Sequence, residues 1–350
     1  MYEEDIVPPI PSRDTNDQQT PDYSRERLAL DRYQGLRLGL VLLRIGPALG
    51  LLVLVVVLSQ LSEIFLTTRN IGNIVAQTAV IAVLAIGQLL VIITRGIDLS
   101  VGSTLALGTV VGALVFQQVD STPLVVAAML ATGAAVGAIN GIVFVKGRLP
   151  HPFIITLATL SIARGVALWL SDGSPIQGMP EPIQALGDGS ILGWLAPSAF
   201  VVVGITLAVL VLTTRMVWGR WIYAVGGNPD AARRTGIPVN GVLISVYVLS
   251  GLAAGAAAVL TAGRTNAGAP TFGNLAELDA IAAVIIGGAS LSGGRGSVAG
   301  TIAGALLLAV LANGLALLSA GPFAQQVLLG TVTIGAVVLD QFTQGRRRTT

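Results

Sequence analysis

The sequence predicts an all-α polytopic membrane protein with about ten transmembrane segments, some broken or half-length, and both termini cytoplasmic. Three observations predict it. The 350 residues are 53% hydrophobic and only 11% charged, with a mean hydropathy of +0.80, whereas soluble domains carry about a quarter charged residues. Apolar runs of about 20 residues, the length a hydrocarbon core demands, recur along the chain. Lys and Arg are spread unevenly between alternate loops, as they are when a bilayer sets orientation.

Residues 1–43 differ from the rest. Over 1–40 they mix charges, Pro, Gln and Thr with little apolar run. That predicts a largely disordered cytoplasmic tail with a short interfacial helix near Arg25–Arg37. The late apolar onset and many acids exclude a secretory signal. The transmembrane domain is expected over 44–342, followed by a basic cytoplasmic tail over 343–350 that contains Arg346, Arg347 and Arg348.

Within that domain the spans are expected near 44–66, 74–94, 100–118, 124–145, 152–170, 197–216, 240–262, 278–290, 297–318 and 325–341. The eighth is too short to cross fully and reads as a half-helix or a broken one. With the N-terminus inside, the cytoplasmic loops carry Lys146, Arg148, Arg215, Arg220, Arg233 and Arg234. The opposite loops carry few cations (Arg69, Arg264) and the acids Asp120, Asp172, Glu181 and Asp188.

Four features stand out on this background. The first is the polar break Thr94-Arg95-Gly96-Ile97-Asp98-Leu99-Ser100 between two apolar helices. Hydrocarbon penalises unpaired charge, so these residues form either a tight, self-neutralised turn or a discontinuous helix lining a path. Gly96 is expected to supply unusual backbone freedom. Asp98 and Ser100 are expected to cap the next helix, and Arg95 to pair with Asp98 or reach the interface. Loop orientation places the break toward the cytoplasm.

The second is the loop 214–241, read as a cytoplasmic connection with one short helix. Asn228 is a good N-cap, Pro229 suits the first helical position and Asp230 complements the helix dipole. Arg233 and Arg234 fall in the last turn, Gly236 can close the helix and Pro238 stops it. A delimited, cationic, solvent-side helix reads as either a capped surface loop or a docking element.

The third is GGASLSGGRGS at 287–297, a small-residue break containing Gly293, Gly294 and Arg295. It has the look of an ATPase signature, but the chain's only lysine, Lys146, is not in a phosphate-binding loop. This segment and its flanks weakly echo RGIDLSVGSTLALG, as internal repeats of transporters do.

The fourth is a set of polar residues within or beside apolar segments: Gln77, Gln88, Asn140, Arg164, Asp279 and Asn313. Asn and Gln in membranes mostly bridge helices. Intramembrane charge is a functional candidate, which favours Arg164 and Asp279. Glu277-Leu278-Asp279 can equally sit in an outer loop. The path candidates are thus Asp98, Ser100, Asn140, Arg164 and Asp279.

The sequence has no Cys and a single His, His151, without a metal-binding pattern. Disulfides, thiolate metal sites and thiol nucleophiles are excluded, and nothing suggests catalytic residues, a metal, a cofactor or nucleic-acid binding.

Taken together, the segments at 87–107, 137–168, 219–241, 277–318 and 337–342 resemble the inner-membrane permease subunits of bacterial monosaccharide ABC importers, of the ribose, xylose, arabinose and galactoside type. Gly-Ile-Asp-Leu-Ser-Val-Gly and Glu-Leu-Asp-Ala-Ile-Ala-Ala-Val are the most specific matches. The resemblance covers nearly everything after residue 45, and the 1–40 tail is longer than usual. It implies a non-catalytic subunit that pairs with a second permease subunit, expected to be identical, and docks cytoplasmic ABC ATPase subunits. These would bind ATP and Mg, and an extracytoplasmic sugar-binding protein would deliver a pentose or hexose. The docking residues would be Asn228, Pro229, Asp230, Arg233, Arg234 and Gly236. Permeases for branched-chain amino acids or nucleosides share the superfamily. An ion-coupled transporter is the alternative from another class.

Overall fold

The computed structural model describes residues 48–338 except 192, 194, 322, 329, 333, 336 and 337. The expected tails at 1–43 and 343–350 lie outside the described residues. Helix α1 covers Ala48–Leu61. There follow α2 (Thr68–Ile93), α3 (Val101–Gln118), α4 (Thr122–Lys146) and α5 (Phe153–Leu170). A two-residue strand β1 (Ile176–Gln177) precedes α6 (Glu181–Asp188), α7 (Ser198–Thr214), α8 (Val217–Gly227), α9 (Pro229–Arg234) and α10 (Val239–Thr265). Strand β2 (Ala267–Gly268), α11 (Ala276–Ile286), α12 (Val298–Leu317) and α13 (Phe323–Val332) complete the chain.

Six of these helices are long and apolar enough to cross a bilayer, and the α7–α8 pair, bent by 71°, passes the same test when taken together. The protein is therefore an all-helical polytopic membrane protein, apart from the short antiparallel pair β1–β2, which joins Ile176 to Gly268 and Gln177 to Ala267. The eighth apolar segment is indeed short. Helix α11 has 11 residues, about 16 Å at 1.5 Å per residue, or roughly half of a ~30 Å hydrocarbon core.

Helix α2 lies at the centre, with 78% of its most apolar window buried, whereas α5 stands at the rim with 22% buried. The outward residues of α5 and α7, such as Ile154, Leu157, Ile162, Phe200, Val203 and Leu207, are apolar and exposed. That is the pattern of a face turned to lipid, where polar groups would go unsatisfied.

Lipid offers helices no hydrophobic reason to associate, so close backbone approach and interhelical hydrogen bonds do the work. The α4–α10 seam illustrates this. Gly133, Gly137 and Gly141 recur every four residues on one face of α4. A Cβ on Gly133 would stand 2.1 Å from the Gly251 carbonyl oxygen, and one on Gly137 would stand 2.2 Å from that of Tyr247. The α11–α12 seam repeats the device, with Gly304 against Ala283 and Gly300 against Gly287. Polar pairs fasten other contacts. Asn70 and Asn313 exchange two amide hydrogen bonds at 3.0 and 2.9 Å, joining α2 to α12.

The 214–241 segment departs from the expected solvent loop. Its first half is α8, which buries Gly219, Ile222, Val225 and Gly226 in the core. Arg220 and the glycines read locally as loop residues, but the Ile222–Val225 face finds an apolar partner only in the folded bundle.

Candidate functional site

Helix α2 ends in a two-bond C-terminal turn, in which the Gly96 amide donates to Val91 (2.9 Å) and the Arg95 amide to Ile92 (2.9 Å). This motif places its pivotal residue in the left-handed region, which glycine tolerates best. Here the pivot is Arg95, with φ +67°, not Gly96. Gly96 is required instead for space, since a Cβ there would stand 2.5 Å from the Tyr247 hydroxyl and 2.8 Å from Val91 Cγ1.

Arg95 does not pair with Asp98. Its Nε donates to the Gly226 carbonyl at 2.6 Å and its Nη2 to that of Gly227, both at the C-terminus of α8. A cation there also complements the negative end of the α8 dipole. The third strand of this junction is the 287–297 break. The Gly294 amide donates to Ile93 at 2.8 Å. A Cβ on Gly293 would stand 2.3 Å from Arg95 Cγ, and one on Gly226 would stand 1.8 Å from the Ile93 carbonyl oxygen. Gly293 and Gly294 both take positive φ. Three segments far apart in sequence thus meet through glycine backbone and one arginine.

Asp98, Ser100 and Asn140 come together in a buried cluster. The Asp98 side chain, in a residue only 1% exposed, accepts from the Ser100 amide (3.0 Å), the Ser100 hydroxyl (2.6 Å) and the Ser250 hydroxyl of α10 (3.0 Å). Asn140 of α4 donates to the Ser100 hydroxyl at 2.9 Å and accepts from Thr159 of α5 at 2.7 Å. With its carboxamide set to satisfy both atoms, Gln88 of α2 donates to the Asp98 carbonyl (3.2 Å) and accepts from its amide (3.1 Å). Burying a carboxylate is costly unless it is hydrogen-bonded, and the network around this one reaches α2, α4, α5 and α10. Ser100 occupies the N-cap position of α3 but does not cap with its side chain. Its hydroxyl is committed to Asp98, which turns the chain before the helix starts.

Arg164 and Asp279 do not join that cluster. Arg164 Nη1 donates to the carbonyls of Pro270 and Phe272, the latter at 2.8 Å. Asp279 sits half-buried on α11. Glu277 lies two residues before Asp279 on the same helix. Glu277 is buried in the first turn of α11, not in an outer loop. Its place at the head of the apolar run Ala280–Ile286 was the available signal.

On the other side of the α8 terminus, α9 follows its local grammar. The Asn228 side chain accepts from the Asp230 and Ala231 amides at 3.0 Å. Gly236 takes φ +83° after the helix. Pro229 is half-buried and Ala232 buried, while Asp230, Arg233 and Arg234 are exposed. Asp230 and Arg233 form an ion pair at 3.8 Å with both side chains open to solvent, so it contributes little. A cleft of about 500 Å³ opens beside it, lined by Phe144, Val145, Arg148, Leu149, Arg233, Asn240 and Leu243. Phe144 packs edge to face on Tyr247, with ring centroids 6.1 Å apart. The cleft is therefore two side chains from Gly96.

Residues 70–337 match the family model described as branched-chain amino acid transport system / permease component. The chain belongs to this family of transport-system permeases. It is 42% identical over 302 residues to the ribose import permease protein of Escherichia coli (strain K12), covering 83% of this chain and 92% of that one. The D-allose transport system permease protein of the same organism is 39% identical over 298 residues, with 85% and 91% covered. The L-arabinose ABC transporter permease protein of Azospirillum brasilense is 34% identical over 310 residues, with 87% and 89% covered. Within the family, the chain's place is among these sugar-importer permeases. No solved structure matches it.

Proposed function

We propose that this chain is the membrane-spanning, non-catalytic subunit of an ABC importer that carries a monosaccharide, a pentose or hexose, into the cytoplasm. The named relatives support the substrate class. Separate cytoplasmic ATPase subunits bind ATP and Mg and drive the cycle. An extracytoplasmic sugar-binding protein delivers the sugar, and a second copy of the chain completes the path. Ten spans with both termini in the cytoplasm complete the reading, in the bacterial inner membrane.

The observation that carries the mechanism is the continuity from α9 to the break. Helix α9 is the docking element, through Asn228, Pro229, Asp230, Arg233, Arg234 and Gly236. Its N-cap Asn228 follows directly on Gly227, whose carbonyl Arg95 holds. ATP-driven movement of α9 therefore pulls on Arg95, on Ile93 and on the Gly293–Gly294 turn. It reaches the Asp98–Ser100–Asn140 cluster, which holds α2, α4, α5 and α10 to the start of α3. Small shifts become discrete tilts because the glycine seams are close-packed. Arg164 and Asp279 are the further residues assigned to the sugar's path. The chain itself supplies no energy, so the bias between states comes from ATP and the binding protein.

Uptake in energised vesicles tests the reading. Transport should persist when an uncoupler collapses the proton gradient with ATP intact, and should stop when ATP is depleted. Loss on uncoupling alone would establish an ion-coupled carrier instead.

A further inference from the structure

One buried charge has no role in the coupling just described. The Glu277 residue is 8% exposed, and its Oε2 is buried without a hydrogen-bond partner. It lies against the first turn of α3, where a Cβ on Gly102 would stand 2.4 Å from that oxygen. The same turn carries the hydroxyls of Ser103 and Thr104, both fully buried and both unpartnered. The amides of Val101, Gly102 and Ser103 precede the first helical bond of α3, which Thr104 makes to Ser100. They make this end of the helix donor-rich and positive. Arg164 anchors the turn that leads into Glu277, through the carbonyls of Pro270 and Phe272.

Buried acceptors and hydroxyls left unpaired are expensive, and buried polar groups are nearly always satisfied. A buried carboxylate oxygen against the α3 turn that also bears two unpartnered hydroxyls suits a neutral polyol. Each sugar hydroxyl both donates and accepts, so it can bridge Glu277 to the α3 turn without adding charge. Beside Glu277, backbone packs directly on backbone. A Cβ on Gly102 would stand 2.3 Å from the Gly273 carbonyl oxygen, and one on Gly273 would stand 2.6 Å from that of Gly102. The turn bearing Gly273 and Leu275 holds both residues at positive φ, +64° and +63°.

We propose that Glu277, Arg164 and the first turn of α3 form a hydroxyl-binding subsite for the transported sugar, shut in this structure by the Gly102–Gly273 contact. The proposal rests on the sugar-permease reading. Parting α3 from the 270–277 turn opens the subsite, and the sugar then takes up the hydrogen bonds that the closed state leaves unmade.

The test is the assembled importer in proteoliposomes, comprising full-length permease, ATPase subunits and binding protein loaded in turn with D-ribose, D-allose, D-xylose or L-arabinose. The readout is sugar accumulated per ATP hydrolysed, with assembly followed by size-exclusion chromatography. Losing a charged hydrogen-bond partner predicts that Glu277→Ala lowers this ratio by about tenfold for the carried sugar. The near-isosteric Glu277→Gln, which keeps the packing, should lower it by about threefold. A wild-type ratio in Glu277→Gln would overturn the subsite, as would an uptake loss matched by an equal loss of ATPase or assembly. A wild-type complex that carries none of the four sugars would overturn the sugar reading itself.

Discussion

Two buried carboxylates flank the start of α3 and are handled in opposite ways. Asp98 is surrounded by Ser100, Ser250 and Gln88, with Asn140 behind them. Glu277 presses an unpartnered oxygen against Gly102. Both face the cost of leaving water, but only the first is repaid within the chain. A fully bonded buried network rigidifies, whereas an unfinished one marks a place where something else must bind or move. The Asp98 side of α3 thus reads as a latch and the α11 side as a site in waiting.

The sharpest way to break this comparison is Asp98→Ala. It strands buried donors on Ser100 and Ser250, and should cost about 3 kcal/mol of stability in a thermal melt of the detergent-solubilised protein. Unchanged melting would show that Asp98 is not a latch. Gly226→Ala comes next. A Cβ 1.8 Å from the Ile93 carbonyl oxygen must push the α8 terminus off α2, at about 2 kcal/mol for overpacking. Hydrogen exchange should rise at residues 94–100 and stay level at 270–280. Equal increases at both would mean the two sides are not mechanically distinct.

Glu277→Gln should move stability in the other direction from Asp98→Ala. Removing an unsatisfied charge should be neutral or stabilise by about 1 kcal/mol, read in the same melt. Destabilisation comparable to Asp98→Ala would erase the contrast. The smallest effect on stability belongs to Arg233→Glu combined with Arg234→Glu. Both side chains are exposed, so the melt should shift by less than about 0.5 kcal/mol. Capture of the ATPase subunits in a pull-down should nevertheless fall, and unaltered capture would remove α9 as the docking element.

Much of this was legible from residues alone. The Arg95–Ser100 break shows in the sequence because charge inside an apolar run has no cheap explanation. The bounds of α9 show because Asn228, Pro229, Gly236 and Pro238 act within a few residues of themselves. The shortness of α11 follows from the length of its apolar run. Other features were hidden. Nothing near Arg95 says that it will reach α8, since Gly226 and Gly227 lie more than 130 residues further along. The choice between Arg95 and Gly96 as the left-handed residue turned on the Tyr247 hydroxyl, which claims the space beside residue 96. Glu277 passed for a loop acid because its neighbour is Gly102 of another helix.

By itself the sequence determined that the chain lives in a bilayer, that apolar helices recur along it and that the Arg95–Ser100 and 287–297 segments interrupt them. Hydrocarbon thickness, charge cost and capping all act over one helix or less. Only the tertiary structure decided which interruptions meet, and that Asp98 is satisfied while Glu277 is not. Hydrogen bonds and backbone contacts between segments 40 to 240 residues apart depend on how the glycine faces pack, and packing is a property of the whole bundle.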